Sequence, residues 1–162
     1  MIEHARVWTL GDDIDTDVII PARHVALASI SEMASHTLEP VRPDLARDMK
    51  PGDVIVAGEN FGSGSSREHA VLVLKELGVA CVVARSFARI FYRNGINNGL
   101  LLVQAADVEV PDGDHVTVDL DNGFVLHEES GRRFESAVMS EMVQAIIGAG
   151  GLIPYVEEHG VS

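Results

Sequence analysis

The chain has 162 residues, 46% of them hydrophobic and 23% charged, which suits one domain with a real core. Its formal net charge of -13 argues against non-specific nucleic-acid binding, which is driven by neutralising phosphates. No apolar stretch approaches the ~20 residues of a membrane span, and the opening Met1-Ile2-Glu3-His4-Ala5-Arg6 lacks the basic region and apolar core of a secretion signal.

In chain order, the first distinct pattern is acidic: Asp12, Asp13, Asp15 and Asp17. A calcium loop starting at Asp13 needs glycine in sixth place and glutamate in twelfth. Val18 and His24 stand there, so the aspartates read as shapers of a loop. Residues 40–51, with a proline at each end, read as a long surface connection.

Val54-Ile55-Val56-Ala57 has the form of a buried strand. A turn-rich segment, 58–64, follows it. Ser65-Ser66-Arg67-Glu68 opens a helix marked by Ala70, Val73, Leu74 and Leu77 and stopped by Gly78. Residues 79–84 form a second apolar strand. Strand, glycine loop, helix and strand make a βαβ unit with parallel strands.

Cys81, the only cysteine, lies inside that second strand and reads as a small core residue. One cysteine closes no internal disulfide and cannot ligate an iron–sulfur cluster, and a reducing, cytoplasmic location fits. A second helix is expected after Ser86, through Phe87, Ile90 and Phe91 to Asn94-Gly95, and a third strand at 100–103. Arg85, Arg89 and Arg93 recur every four residues and read as a basic helix face, either solvated or set against a partner.

Residues 115–120 alternate in period two, Asp121-Asn122-Gly123 is a turn signal, and residues 124–127 return as a hairpin. His115 and His127 fall in this hairpin and read as surface residues. Val138, Met142, Ala145 and Ile146 mark a last helix before Gly148, Gly150 and Gly151. The expected fold class is α/β, with a parallel βαβ core and an antiparallel hairpin, in a single domain over residues 1–162.

The most informative segment is Gly62-Ser63-Gly64-Ser65-Ser66-Arg67-Glu68-His69. A strand-to-helix loop offers unpaired N–H groups and the positive end of a helix dipole, which suits anions. The glycines permit close backbone approach. Arg67 can grip a carboxylate through two parallel hydrogen bonds. Ser65 with Glu68 three residues on also has the form of a capping box, a purely structural device. A P-loop would end in Gly-Lys-Ser/Thr, a nucleophile elbow needs Gly-x-Ser-x-Gly, and a dinucleotide loop needs a third glycine where Arg67 stands; none of the three matches.

Segment 58–70 resembles the signature of the mobile, swivelling domain of the aconitase superfamily. Ala84-Arg85-Ser86-Phe87-Ala88-Arg89-Ile90-Phe91 is similar to a second shared block. Asp13-Ile14-Asp15-Thr16-Asp17-Val18-Ile19-Ile20-Pro21-Ala22-Arg23 is similar to a third, found in the small subunits of isopropylmalate dehydratases and homoaconitases. The blocks occur in family order and span residues 11 to about 103. One departure is Ser63, where many relatives carry cysteine.

The resemblance implies an aconitase-type swivelling β/β/α fold and a hydro-lyase subunit that is inactive without its large subunit. That partner would hold a [4Fe–4S] cluster, and this chain would hold no cofactor and no metal. The substrate would be a small hydroxy-dicarboxylate. Carried onto this sequence, Ser65 would be the base, while Ser66 and Arg67 would bind substrate carboxylates. Arg23 would bind the substrate too, and the loop that follows it, His24-Val25-Ala26-Leu27, would meet the substrate's variable group. An apolar Val25-Ala26-Leu27 face suits an alkyl group, because an unpaired carboxylate is costly to bury there. Isopropylmalate, and with it leucine biosynthesis, is therefore favoured over homocitrate-type acids, with dimethylmalate left open by His24. The rival reading of another class is a non-catalytic, anion-binding regulatory module.

Overall fold

The period-two burial of short apolar runs builds a single sheet with a core on each face. A computed structural model describes residues 1–26 and 29–160. Its seven strands are β1 (Ile2–Thr9), β2 (Val54–Ala57), β3 (Cys81–Ala84), β4 (Leu102–Gln104), β5 (His115–Asp119), β6 (Phe124–His127) and β7 (Arg133–Glu135). They lie in the order β4-β3-β2-β1-β5-β6-β7. β1 to β4 are parallel, and β5, β6 and β7 run on antiparallel from β1. The expected α/β class, βαβ core and hairpin are all present.

Ile55, Ala57, Val82, Ala84, Leu102 and Trp8 face one core. The helices pack there: α1 (Thr16–Ile19), α2 (Ile30–Ala34), α3 (Leu45–Asp48), α4 (Glu68–Glu76) and α5 (Arg89–Asn97). The intervening residues Val54, Val56, Cys81, Val83 and Val103 face a second core with Val116, Val118, Val125 and Phe134. All seven strands contribute to that second core, so the sheet curls around it. The Ala137 N–H donates to Gln104 O, linking the chain just after β7 to β4. Fully burying a Val, Leu, Ile or Phe side chain in either core stabilises by about 1.5–3 kcal/mol, before chain entropy is subtracted. Trp8 ties the first core to a polar anchor: its indole N–H donates to the buried Asp53 at 3.0 Å, and Arg6 stacks on its ring. Two helices, α6 (Glu141–Gly148) and α7 (Leu152–His159), end the described chain.

Several elements depart from the sequence reading. β1 carries Glu3, His4 and Arg6, and a bulge between Ile2 and Ala5 breaks its alternation. It was invisible as a strand, yet it joins the two halves of the sheet. Residues 40–51 are not all surface: Leu45 of α3 is fully buried. α5 begins at Arg89 and runs through Gly95, so Arg85 lies before the helix. There its Nε donates to Val108 O at 2.9 Å. Only Arg89 and Arg93 share that helix. β3 begins two residues later than expected and β4 is shifted to 102–104. Val138 precedes α6. α7 was hidden by Gly150, Gly151 and Pro154, although proline is tolerated in a first helical turn.

Candidate active site

The glycine loop leaves the C-terminal end of β2 and is gripped along its length by the segment 14–20. Gly62 N–H donates to Ile14 O at 2.7 Å, and Thr16 N–H donates to Ser63 O at 2.9 Å. Thr16 Oγ1 donates to Ser65 O at 2.8 Å. Arg67 Nη1 donates to Ile20 O at 2.9 Å and meets Asp17 Oδ1 at 3.3 Å. Upstream, Asp12 accepts from the Glu59 N–H and Asp13 from the Asn60 amide, while Asp15 caps α1 through the Val18 N–H. The four aspartates thus shape the loop's bed, as their sequence suggests.

The carbonyls of Ser63 and Ser65 are engaged, but the N–H groups around them are not. The backbone N–H groups of Gly64, Ser65, Ser66 and Arg67 meet no acceptor among the described residues. Gly62 and Gly64 both have left-handed φ, +86° and +92°. A side chain at Gly62 would overlap the Phe91 ring, so the turn fits against α5 only with glycine. Ser65 and Ser66 are exposed, and Arg67 is partly covered. The capping box is absent. Arg67 is the N-cap of α4 and no side chain caps that helix, so Ser65 and Glu68 do not pair across its start. The serine hydroxyl is left for other use.

An open cleft of about 760 Å³ lies between this loop and α5. Thr16, Ser66, Arg67, Phe87, Arg89, Ile90, Arg93 and Asn94 are among its lining residues. The lining includes three arginines and no carboxylate, in a chain of net charge -13. Asn94 Nδ2 donates to Ser66 Oγ at 3.1 Å and orients that hydroxyl. The sequence singled out Arg67 and the serines, but not Thr16 or Asn94. Thr16 lies 49 positions from its loop partner, and Asn94 lies 28 from its own; nothing local signals either contact.

Ser65 stands between two lining residues, Gly64 and Ser66, without being part of the lining itself, and Arg23, Val25 and Ala26 sit apart from it. Arg23 is exposed and reaches Glu39 at 3.5 Å, Val25 is half-buried against the first core, and Ala26 is exposed. Leu27 lies outside the described residues. Asp17 links the two regions. It accepts from the Ala22 N–H at 3.1 Å, and its carboxyl is held below the usual range, first by that bond and then by Arg67, with Arg23 adding to the field.

Two clusters elsewhere gather metal-ligand types: His24, His36 and Glu39, and Asp114, His127 and Glu129. In the first, the imidazoles stack in parallel with centroids 3.7 Å apart. Stacked rings do not aim their in-plane lone pairs at one ion, and Glu39 instead accepts from His24 Nε2 at 2.9 Å. In the second, His127 Nε2 donates to Asp114 at 2.7 Å and Nδ1 meets Ser130 Oγ at 2.6 Å. His127 is buried, contrary to its surface reading. It shares Val125's face of β6, where alternation turns it inward. Cys81 is fully buried, which pushes its thiol up to about 12. One inert, inward thiol is no ligand set for an iron–sulfur cluster, so this chain's residues do not fit one.

A family model described as the aconitase C-terminal domain matches residues 30–108. The 3-isopropylmalate dehydratase small subunit of Nautilia profundicola is 48% identical over 154 residues, covering 94% of this chain and 93% of that protein. The protein of the same name from Lachnospira eligens is 50% identical over 150 residues, covering 91% and 90%. A crystal structure of 3-isopropylmalate dehydratase from Methanocaldococcus jannaschii superposes with a TM-score of 0.91 at 42% identity, covering 98% of this chain and 95% of that one. No helix among the described residues is long and apolar enough to cross a membrane.

Proposed function

The chain belongs to the family of 3-isopropylmalate dehydratase small subunits, and from that premise we propose how its residues divide the work. It is the small subunit of a hydro-lyase that interconverts 2-isopropylmalate and 3-isopropylmalate by removing and restoring water. The iron–sulfur cluster belongs to the large subunit, since this chain offers no ligands for one. The observation that carries the reading is the cleft: three arginines and no acid in a strongly acidic protein, beside a loop with unspent N–H donors. Local field, not net charge, decides what binds there.

In this reading Arg67 receives a substrate carboxylate. Nη1 is tethered to Ile20 O and Asp17, which fixes the plane of the guanidinium and leaves its other edge for two parallel bonds. Ser66, oriented by Asn94, donates to the same group. Ser65 takes the proton adjacent to a carboxylate. A serine hydroxyl is a poor base in water, so its alkoxide needs stabilising. The unpaired N–H groups of residues 64–67, Arg67 and the start of α4 supply positive potential at that spot. Arg23 holds a second carboxylate, and Val25 with Ala26 meets the alkyl group.

The test is reconstitution with an iron–sulfur large subunit and a panel of isopropylmalate, homoaconitate, citrate-type and dimethylmalate acids. The chain alone is expected to be inactive, and the complex to favour isopropylmalate. Preference for homoaconitate would overturn the alkyl assignment. Failure to associate with any large subunit would leave the regulatory-module reading standing instead.

A further inference from the structure

Thr16 is 2% exposed, lines the cleft and holds the loop at two points. Its N–H takes Ser63 O and its hydroxyl takes Ser65 O, so a single residue clamps both ends of the Gly64-Ser65 dipeptide. Among the described residues Ser65 O has no other donor. Gly64, between the clamps, has a φ of +92° and no side chain to restrain it.

We propose that Thr16 is a positioning residue for Ser65, and that its hydroxyl fixes the peptide from which the reacting side chain projects. The proposal rests on reading Ser65 as the proton acceptor. With the clamp lost, the Ser65–Ser66 peptide is free to rotate, and Ser65 Oγ leaves its alignment with the substrate. Displacements of about 1 Å at a reacting group cost on the order of 100-fold in rate. Threonine suits the task because its β-branch restricts χ1, which keeps the hydroxyl on the carbonyl. Valine reproduces the shape without the donor.

Thr16→Val, Thr16→Cys and Thr16→Ser are compared with wild type in the reconstituted complex, with isopropylmalate as substrate and kcat expressed per assembled complex. Thr16→Val is expected to lose about 30- to 100-fold in kcat with KM within about threefold. Thr16→Ser restores kcat to within about fivefold, and Thr16→Cys, with its weak S–H donor, falls between. A rank order that ignores the hydroxyl, or a loss that merely tracks the amount of assembled complex, overturns the proposal. Ser65→Ala runs alongside. If that variant keeps full activity, the reading of Ser65 itself falls; if it is inactive while Thr16→Val matches wild type, only the positioning role falls.

Discussion

Two turns in this molecule follow an apolar strand and contain glycine, yet they treat their polar groups in opposite ways. At the hairpin turn between β5 and β6, Asp119 accepts from the Asp121 N–H, the Asn122 N–H and the Asn122 amide, and Gly123 N–H returns to Asp119 O. That turn spends its donors on itself. At the loop after β2, the Ser63 and Ser65 carbonyls are tied to Thr16 while the successive N–H groups of residues 64–67 have no acceptor among the described residues. A turn that satisfies itself holds strands in register. A turn whose acceptors are held and whose donors are left over is shaped to receive an anion.

The sharpest way to break this contrast is at the hydroxyl. Ser65→Ala in the reconstituted complex is expected to cut kcat by about 10³-fold, within the range set by loss of a positioned proton acceptor. Its melting temperature should stay at the wild-type value, because Ser65 Oγ makes no bond among the described residues and its carbonyl clamp survives. A fall in stability matching the fall in rate would make the loop structural after all. Next in size, Arg67→Lys keeps the charge but loses the planar fork. It is expected to lower kcat/KM by about 10- to 100-fold, with dicarboxylate affinity reduced in step. Wild-type kinetics in that variant would move carboxylate binding to Arg89 or Arg93.

The loop was legible because its signals are local. Apolar run, glycines, serines, arginine and a new helical period all fall within residues 54–77, and the neighbours of Cys81 alone place it in the core. What holds the loop was not legible. Thr16 and Asp17 meet it across 49 and 50 positions of chain, a pairing only the folded topology creates. Ser65 with Glu68 fitted a capping box by spacing, but the helix starts too late for the pair to meet across its end. β1 failed the alternation test because of its bulge. At His127 two local signals conflict. Its polarity points to the surface, but the alternation that marks the hairpin puts it on Val125's buried face, and position prevails.

Smaller effects are expected on the hairpin side. Asp119→Ala removes three hydrogen bonds from the turn. It is expected to lower the melting temperature by about 4–10 °C while leaving kcat and KM untouched. A kinetic change there would mean that the hairpin communicates with the cleft.

The least effect should come from Glu129, at the far end of the hairpin. It accepts from both His115 Nδ1 and the His115 backbone N–H, and these bonds hold its carboxyl down at about 2. A carboxyl whose folded value lies below its unfolded one adds stability that is fully present above its ordinary range. That stability is lost as pH falls toward about 2. Glu129→Gln is therefore expected to lower the melting temperature slightly at neutral pH and to converge with wild type as the pH is taken down through that window. The side chain is exposed, so solvent screens the interaction and keeps the difference small. Melting curves that stay parallel from pH 7 to pH 2 would show that the pair contributes nothing to folding. The self-satisfied chemistry that matters to the hairpin's folding would then lie at the Asp119 turn and not at the Glu129 end.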